Sequence, residues 1–189
     1  MDLRKVYREL STKDLTLRPS RLSDAEGLFA MLSDVESMKY WSDQPVTGIE
    51  DAIKVLKEDI ESDEQGKSLC LSIFLNGEDR MIGKCILFQF SQANQRAEIG
   101  FILNRKYWRQ GLMQQALAAL IDFAFNTLNL HRIEADVDEE NTGSLGILER
   151  LGFQREGLFR DRWCVYGEWQ QSVMLGLLKQ DWLDLKADQ

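Results

Sequence analysis

An α/β fold with a mixed central sheet, about seven strands flanked by about four helices, follows from two features of this chain. Short runs of period two alternate with longer runs of period near 3.6. Near Leu103 an apolar strand ends, a polar loop turns through one glycine, Gly111, and a strongly amphipathic helix starts at once. The composition agrees, with 44% hydrophobic residues and only two prolines among 189, enough apolar material for one sizeable core in a single domain over 1–189.

Residues 1–13 are polar and mixed in charge and read as an arm before the first strand, Leu15-Thr16-Leu17-Arg18-Pro19, which proline closes. Ser23 is the expected N-cap of the first helix, with Glu26 in capping-box register and Leu28, Phe29, Met31 and Leu32 on its buried face. Tyr40 and Trp41 follow in a loop, where two large aromatics either seal the core edge or line an acceptor pocket. A second helix runs over about 50–61, with Ile53, Leu56 and Ile60 on one side. Strands 69–75 and 81–90 flank the hairpin signal Asn76-Gly77. The next strand, about 96–103, sets Ala97, Ile99, Phe101 and Leu103 on one face and Glu98, Gly100 and Ile102 on the other. Glu98 is thus a carboxylate in a mostly apolar strand.

The central helix, from Gly111 to about Asn126, carries Leu112, Ala116, Leu117, Leu120, Ile121 and Ala124 as an apolar stripe. In the strand after it, Ile133, Ala135 and Val137 alternate with Glu134, Asp136 and Asp138. Asn141 caps another helix and puts Ser144 at N3; Leu145, Leu148 and Leu151 are its buried face and Gly152 ends it. Strands 153–159 and 171–178, joined through 161–169, complete the pattern.

The net charge of −8, from 23 basic and 31 acidic residues, argues against nucleic acid or an anionic membrane as the main partner and weakly favours a cationic one. Acidic residues at Asp43, Asp138, Glu139 and Glu140 either attract a cation or form an ordinary solvated face. No run approaches the 18 or so apolar residues of a membrane span, and the N-terminal residues do not lead into a signal-peptide core, so a cytoplasmic location is expected. Cys70, Cys85 and Cys164 are too few and too scattered for a zinc site, and with His131 the only histidine, cysteine catalysis and most metal sites are disfavoured.

In open α/β sheets ligands settle beyond the carboxyl ends of strands. Two such ends, Leu103 and Asp138, lead to helix starts at Gly111 and Asn141, which face one crevice if those strands are neighbours. A helix start offers unpaired N–H groups and the positive end of the helix dipole, which suits a pyrophosphate. The Lys-Ser/Thr and dinucleotide-type glycine fingerprints are absent.

Trp108-Arg109-Gln110-Gly111-Leu112-Met113 after a strand, then Asn141-x-x-Ser144 with Leu151-Gly152-Phe153, resembles the GNAT superfamily of acyl-CoA-dependent N-acetyltransferases. Within it the chain is similar to the RimJ/RimL branch, whose named members acetylate N-termini of ribosomal proteins. The likeness extends from Leu15 to the closing stretch Gly167-Glu168-Trp169-Gln170-Gln171-Ser172-Val173-Met174. It implies a GNAT-like, mostly antiparallel sheet.

The resemblance also implies acetyl-CoA as donor and no metal. The pyrophosphate would lie on Arg109, Gln110, Gly111, Leu112, Met113 and Gln114, the pantetheine arm along Phe101, Ile102 and Leu103, and Asn141 on the same arm. Where the family loop reads Gln or Arg, two free positions, Gly, one free position, then Gly or Ala, Trp108 and Met113 depart from it, which shifts recognition to backbone N–H groups. Glu98 is the candidate base; its alternatives are a solvated side chain or a pair with Arg96. Ser144 is the candidate acid, with a helix-start hydroxyl bonded to backbone as the alternative. Tyr166 is the reserve acid, and Tyr40 and Trp41 the candidate acceptor contacts.

The expected activity is direct acetyl transfer to a primary amine in a ternary complex, with a protein N-terminal α-amine as one acceptor. A polyamine or other small amine, and a CoA-binding module without turnover, are the alternatives. A homodimer is left open.

Overall fold

The computed structural model describes residues 9–41 and 43–187, so residues 1–8 of the expected arm and Ser42 lie outside the described residues. The strands are β1 (Leu10–Ser11), β2 (Leu15–Pro19), β3 (Leu69–Leu75), β4 (Met81–Ser91), β5 (Arg96–Leu103), β6 (Arg132–Asp138), β7 (Gln154–Val165) and β8 (Glu168–Leu178). Among the described residues they form one sheet in the order β1-β2-β3-β4-β5-β6-β8-β7, in which only β5 and β6 run parallel. The helices are α1 (Ala25–Leu32), α2 (Val35–Met38), α3 (Ile49–Glu64), α4 (Leu112–Asn126), α5 (Thr142–Arg150) and α6 (Lys179–Ala187). No helix among the described residues is long and apolar enough to cross a membrane.

The period-two reading fixes the two layers. Ala97, Ile99 and Leu103 of β5 and Ile133, Ala135 and Val137 of β6 join one core with α4, α5 and Trp182 of α6. Ile102, on the opposite face of β5, joins a smaller core with Leu28 and Met31 of α1, Met38 of α2 and Leu56 of α3. Helices cover both faces of β3, and six of its seven residues are buried, as a continuous apolar run requires. Towards β6, β8 and β7 the second face has no helix in that smaller core, and charged side chains occupy it instead.

Eight strands and six helices exceed the expected seven and four, and each difference has a local cause. Leu10–Ser11 is too short to show periodicity and becomes a strand by pairing with Leu17 and Thr16. The one-turn helix α2 is likewise below the length at which an apolar stripe is legible; Asp34 caps it by accepting from Ser37 N. The terminal α6 hides in a polar sequence and is anchored by buried Trp182, whose Nε1 donates to Asp122 Oδ1 at 2.9 Å. The Asn76-Gly77 turn exists, with Gly77 at φ 82°, but the link between β3 and β4 spans residues 76–80 and the register shifts at Ile73/Phe74.

Two expectations are corrected outright. Residues 161–169 are not a loop: β7 and β8 run on to a two-residue turn at Tyr166 and Gly167, whose φ of 53° and 88° match the left-handed pair of a type I′ hairpin. The arm protrudes with most of its residues exposed, so no buried-face alternation marks it in the sequence. Ser23 is not the cap of the first helix either. It lies in a 3-10 turn, Leu22–Asp24, and Asp24 takes the N-cap position of α1 without a side-chain capping bond, its carboxylate accepting from Arg21 N at 2.9 Å to close the 3-10 turn.

Asp24 is buried, and besides Arg21 it accepts from both Arg18 terminal nitrogens (2.7 and 3.0 Å) and from Ser72 Oγ (2.9 Å). It therefore ties β2, β3 and the entry to α1 together. Removing one partner of a buried pair leaves the other charge uncompensated, so Asp24→Ala is expected to destabilise by roughly 3–5 kcal/mol in urea unfolding. A loss below about 1 kcal/mol would show the cluster to be an ordinary surface pair.

Candidate active site

The parallel ladder between β5 and β6 has three rungs, Arg96↔Arg132, Ala97↔Ile133 and Glu98↔Glu134, and then stops. β5 continues to Leu103 and β6 to Asp138, so the two strands splay into a fork that closes at Glu98 and Glu134. Past its third rung the β5 edge faces the fork instead of a neighbouring strand. A cleft of about 420 Å³ occupies the mouth, and Phe101, Ile102 and Leu103 form one wall.

The other walls come from the two strand-to-helix turns and the α2–α3 connection. Gly111 is the N-cap of α4 at φ 74°, a left-handed conformation that costs glycine nothing, and no side chain caps this helix. A Cβ added there would meet nothing within 4 Å, so the loop is open on its outer side. At α5 the arrangement differs, because Asn141 Oδ1 accepts from Ser144 N at 3.1 Å. The uncapped N–H groups of α4 are therefore free to take an anion, and the loop, the helix dipole and the unpaired β5 edge fit a pyrophosphate with an extended tail.

Trp108 earns its place structurally: Nε1 donates to Leu103 O at 2.7 Å, pinning the loop to the end of β5. Of the loop residues expected at the donor, Arg109, Gly111, Leu112, Met113 and Gln114 line the cleft. Gln110 is outside it, its Nε2 turned back to donate to Lys106 O at 3.1 Å. Tyr40, Trp41, Asn141 and Ser144 are in the lining, and Tyr40 OH donates to Glu140 O at 3.2 Å across the cleft mouth. The Ser144 hydroxyl makes no hydrogen bond among the described residues. Tyr166 stands outside the lining at the hairpin tip, its OH 3.4 Å from Met38 O and Asp43 O, where it holds the arm against the α2–α3 connection.

Glu98 sits at the closed end of the fork, half-buried, with no hydrogen bond or ion pair among the described residues. Arg96, its expected alternative partner, pairs with Glu134. Burial pushes the Glu98 carboxyl up to about 6, Asp136 and Glu134 push the same way, and Arg162 and Arg96 offset part of the rise. Asp136 and Ser172 share this face and belong to the same region, although their alternation with Ala135 and Val173 reads in sequence as a solvated side. Cys70 and Cys85 are buried and burial raises both thiols, so neither is a ready thiolate. An open depression of about 950 Å³ on the β7–β8 arm, beside Phe159 and Trp169, contains neither helix start.

Glu98 titrates higher in the folded chain than the usual 4.5, so folding penalises its charged form. That penalty is absent below about pH 4.5, grows as the pH rises through 6 and is complete above it. Glu98→Gln mimics the protonated form; it is expected to raise Tm at pH 8 and to leave it nearly unchanged at pH 4.5. Equal shifts at both pH values would show that Glu98 is solvated.

Comparison with known proteins points to one family. The family described as "Acetyltransferase (GNAT) domain" matches residues 14–154. The chain is 39% identical over 173 residues to an uncharacterized N-acetyltransferase, p20, of Bacillus licheniformis, covering 92% of this chain and 97% of that one. It is 22% identical over 173 residues to the spermidine N(1)-acetyltransferase of Escherichia coli K12, covering 92% and 90%. Its fold is similar to the structure of Mycobacterium smegmatis RimJ in complex with CoA-disulfide, with a TM-score of 0.81, 26% identity, and 92% and 88% of the two chains covered.

Proposed function

The chain belongs to the GNAT family of acetyltransferases, and from that premise we propose that it moves an acetyl group from acetyl-CoA to a primary amine by direct transfer in a ternary complex. The observation that carries the reading is the fork: a carboxylate at its closed end, an uncapped helix start at its mouth and an unpaired strand edge between them. Acetyl-CoA supplies the activated acyl group as a thioester.

The N–H groups at the start of α4 hold the pyrophosphate by charge and hydrogen bonding, with Arg109 beside them. The β5 edge at Phe101, Ile102 and Leu103 binds the pantetheine amides as an added strand and aims the acyl end towards the closed end of the fork. A backbone N–H of that edge stabilises the carbonyl oxygen as it gains charge. Glu98, with its proton affinity raised into the working range, takes the proton that frees the lone pair of the amine nitrogen, and the neutral nitrogen then forms the new C–N bond. The C–S bond breaks as the hydroxyl of Ser144 gives its proton to the departing sulfur and takes the second proton of the nitrogen in exchange.

Cys70 and Cys85 are buried with thiols raised by burial, and the exposed Cys164 lies on β7 outside the cleft lining, which supports transfer without an acyl-enzyme. A protein N-terminal α-amine is the proposed acceptor. Its pKa of about 7.7–8.0 leaves it neutral more often at pH 7 than a lysine-like amine near 10.4, so it demands less of a base.

Acetyl-CoA-dependent thiol release, screened over N-terminal peptides, lysine peptides, polyamines and aminoglycosides, tests the activity. Release with N-terminal peptides is expected. Release with polyamines alone would move the acceptor to that class, and none with any amine would leave a CoA-binding module. Glu98→Gln is expected to lower kcat/KM roughly 10²–10⁴-fold near neutral pH, with the loss easing as the pH rises and the amine deprotonates itself. An unchanged pH–rate profile would remove Glu98 from the chemistry. Ser144→Ala is expected to lower kcat while acetyl-CoA affinity holds; a fall in Tm alone would leave Ser144 as a helix-start hydroxyl.

A further inference from the structure

We propose, resting on the acetyltransferase reading, that Asp136 and Ser172 form the seat for the acceptor's primary ammonium group and that Arg162 fills this seat until the acceptor displaces it. On β6 the face that carries Glu134 next carries Asp136, about 6.6 Å further along the strand. That position is one step past the last rung of the parallel ladder, Glu98↔Glu134, and so lies just inside the fork beside Glu98. On β8, antiparallel to β6, Asp138 pairs with Ser172 and Asp136 with Met174, which turns Ser172 to the same face as Asp136.

Both side chains are buried and incompletely satisfied. The Asp136 side chain is 4% exposed; its Oδ2 accepts from Arg162 Nε at 3.1 Å, while Oδ1 is buried with no partner. Ser172 is fully buried and its hydroxyl oxygen also lacks a partner. A buried carboxylate oxygen and a buried hydroxyl without partners cost free energy in the empty protein. A group that brings donors to both recovers it.

Arg162, approaching from the hairpin, satisfies one oxygen only. A primary ammonium carries three donors, enough for both Asp136 oxygens and the Ser172 hydroxyl. The other nearby bases are committed elsewhere: Arg96 and Arg132 both pair with Glu134, and Arg132 also pairs with Glu156. Arg162 is held lightly by comparison. Its side chain is 46% exposed on the protruding arm, beside the register shift between Phe159 and Trp163, with its guanidinium 5.4 and 5.2 Å from those two rings. It can swing to solvent while the rings stay in place. The ammonium then sits within reach of Glu98, which takes one of its protons before the neutral nitrogen attacks.

The test is calorimetric titration of n-butylammonium into the whole protein without acetyl-CoA at about pH 7, where an alkylamine is almost wholly cationic. Asp136→Asn is expected to weaken binding about tenfold or more, because the buried anion is lost, and Arg162→Ala to tighten it about fivefold, because the competing cation is gone. In turnover assays the acceptor KM should move the same two ways while the acetyl-CoA KM stays fixed. Butylammonium binding that ignores both substitutions would overturn the proposal. If Asp136→Asn does not fold, Arg162→Ala decides alone: tighter binding supports the seat, and unchanged or weaker binding overturns it. Asp136-dependent binding by a protein that releases no thiol with any amine would keep the seat and reject the acetyltransferase reading. Turnover with binding insensitive to Asp136 and Arg162 would do the reverse.

Discussion

The three-rung parallel ladder between β5 and β6 is the constraint on which the site depends. Two parallel strands that stay paired satisfy their facing backbone groups with each other; two that part must leave those groups to something else. Here the parting begins at Glu98 and Glu134, and the freed edge of β5 is left open beside the cleft. The same divergence sends one chain to Gly111 and the other to Asn141, so both helix starts stand at the mouth of the cleft.

The fork also explains why charge accumulates where it does. At its closed end the second face of the sheet leaves the small core under α1–α3 and carries Glu98, Glu134 and Asp136 on neighbouring strands. Burial raises the proton affinity of Glu98, and the charges of Asp136 and Glu134 add to the effect. Arg96 and Arg132 neutralise Glu134 and leave Glu98 without an ion pair. Gly176 is part of the same device, since a Cβ there would lie about 2.5 Å from the Arg132 guanidinium and the Glu156 carboxylate that pack over it. The arrangement gives up local stability for a group that can exchange a proton near neutral pH.

The hairpin arm joins the two parts. Its strands are mostly exposed, yet its tip is tied through Tyr166 to the α2–α3 connection, and Arg162 reaches back from it to Asp136. Tyr40, from that same connection, touches the β6–α5 turn through Glu140. The α2–α3 connection, β5, the Gly111 loop and the start of α5 thus line the cleft, and the arm is fastened beside it.

The sequence alone determined what depends on local periodicity. Alternation in 96–103 and 132–138 placed the right residues on each face, the lone Gly111 fixed the left-handed start of α4, and Asn141 with Ser144 read correctly as a cap because all of these are contacts within a few residues. The family was legible for the same reason, since its motifs are turns. Only the tertiary structure decided that β5 and β6 are parallel neighbours that part after three rungs, that Arg96 turns to Glu134 instead of Glu98, and that the polar stretch 161–169 is a hairpin arm. It also showed that the Asp136 side chain and Ser172 are buried. Each of these rests on pairing between residues distant in sequence, whose energies no local pattern carries.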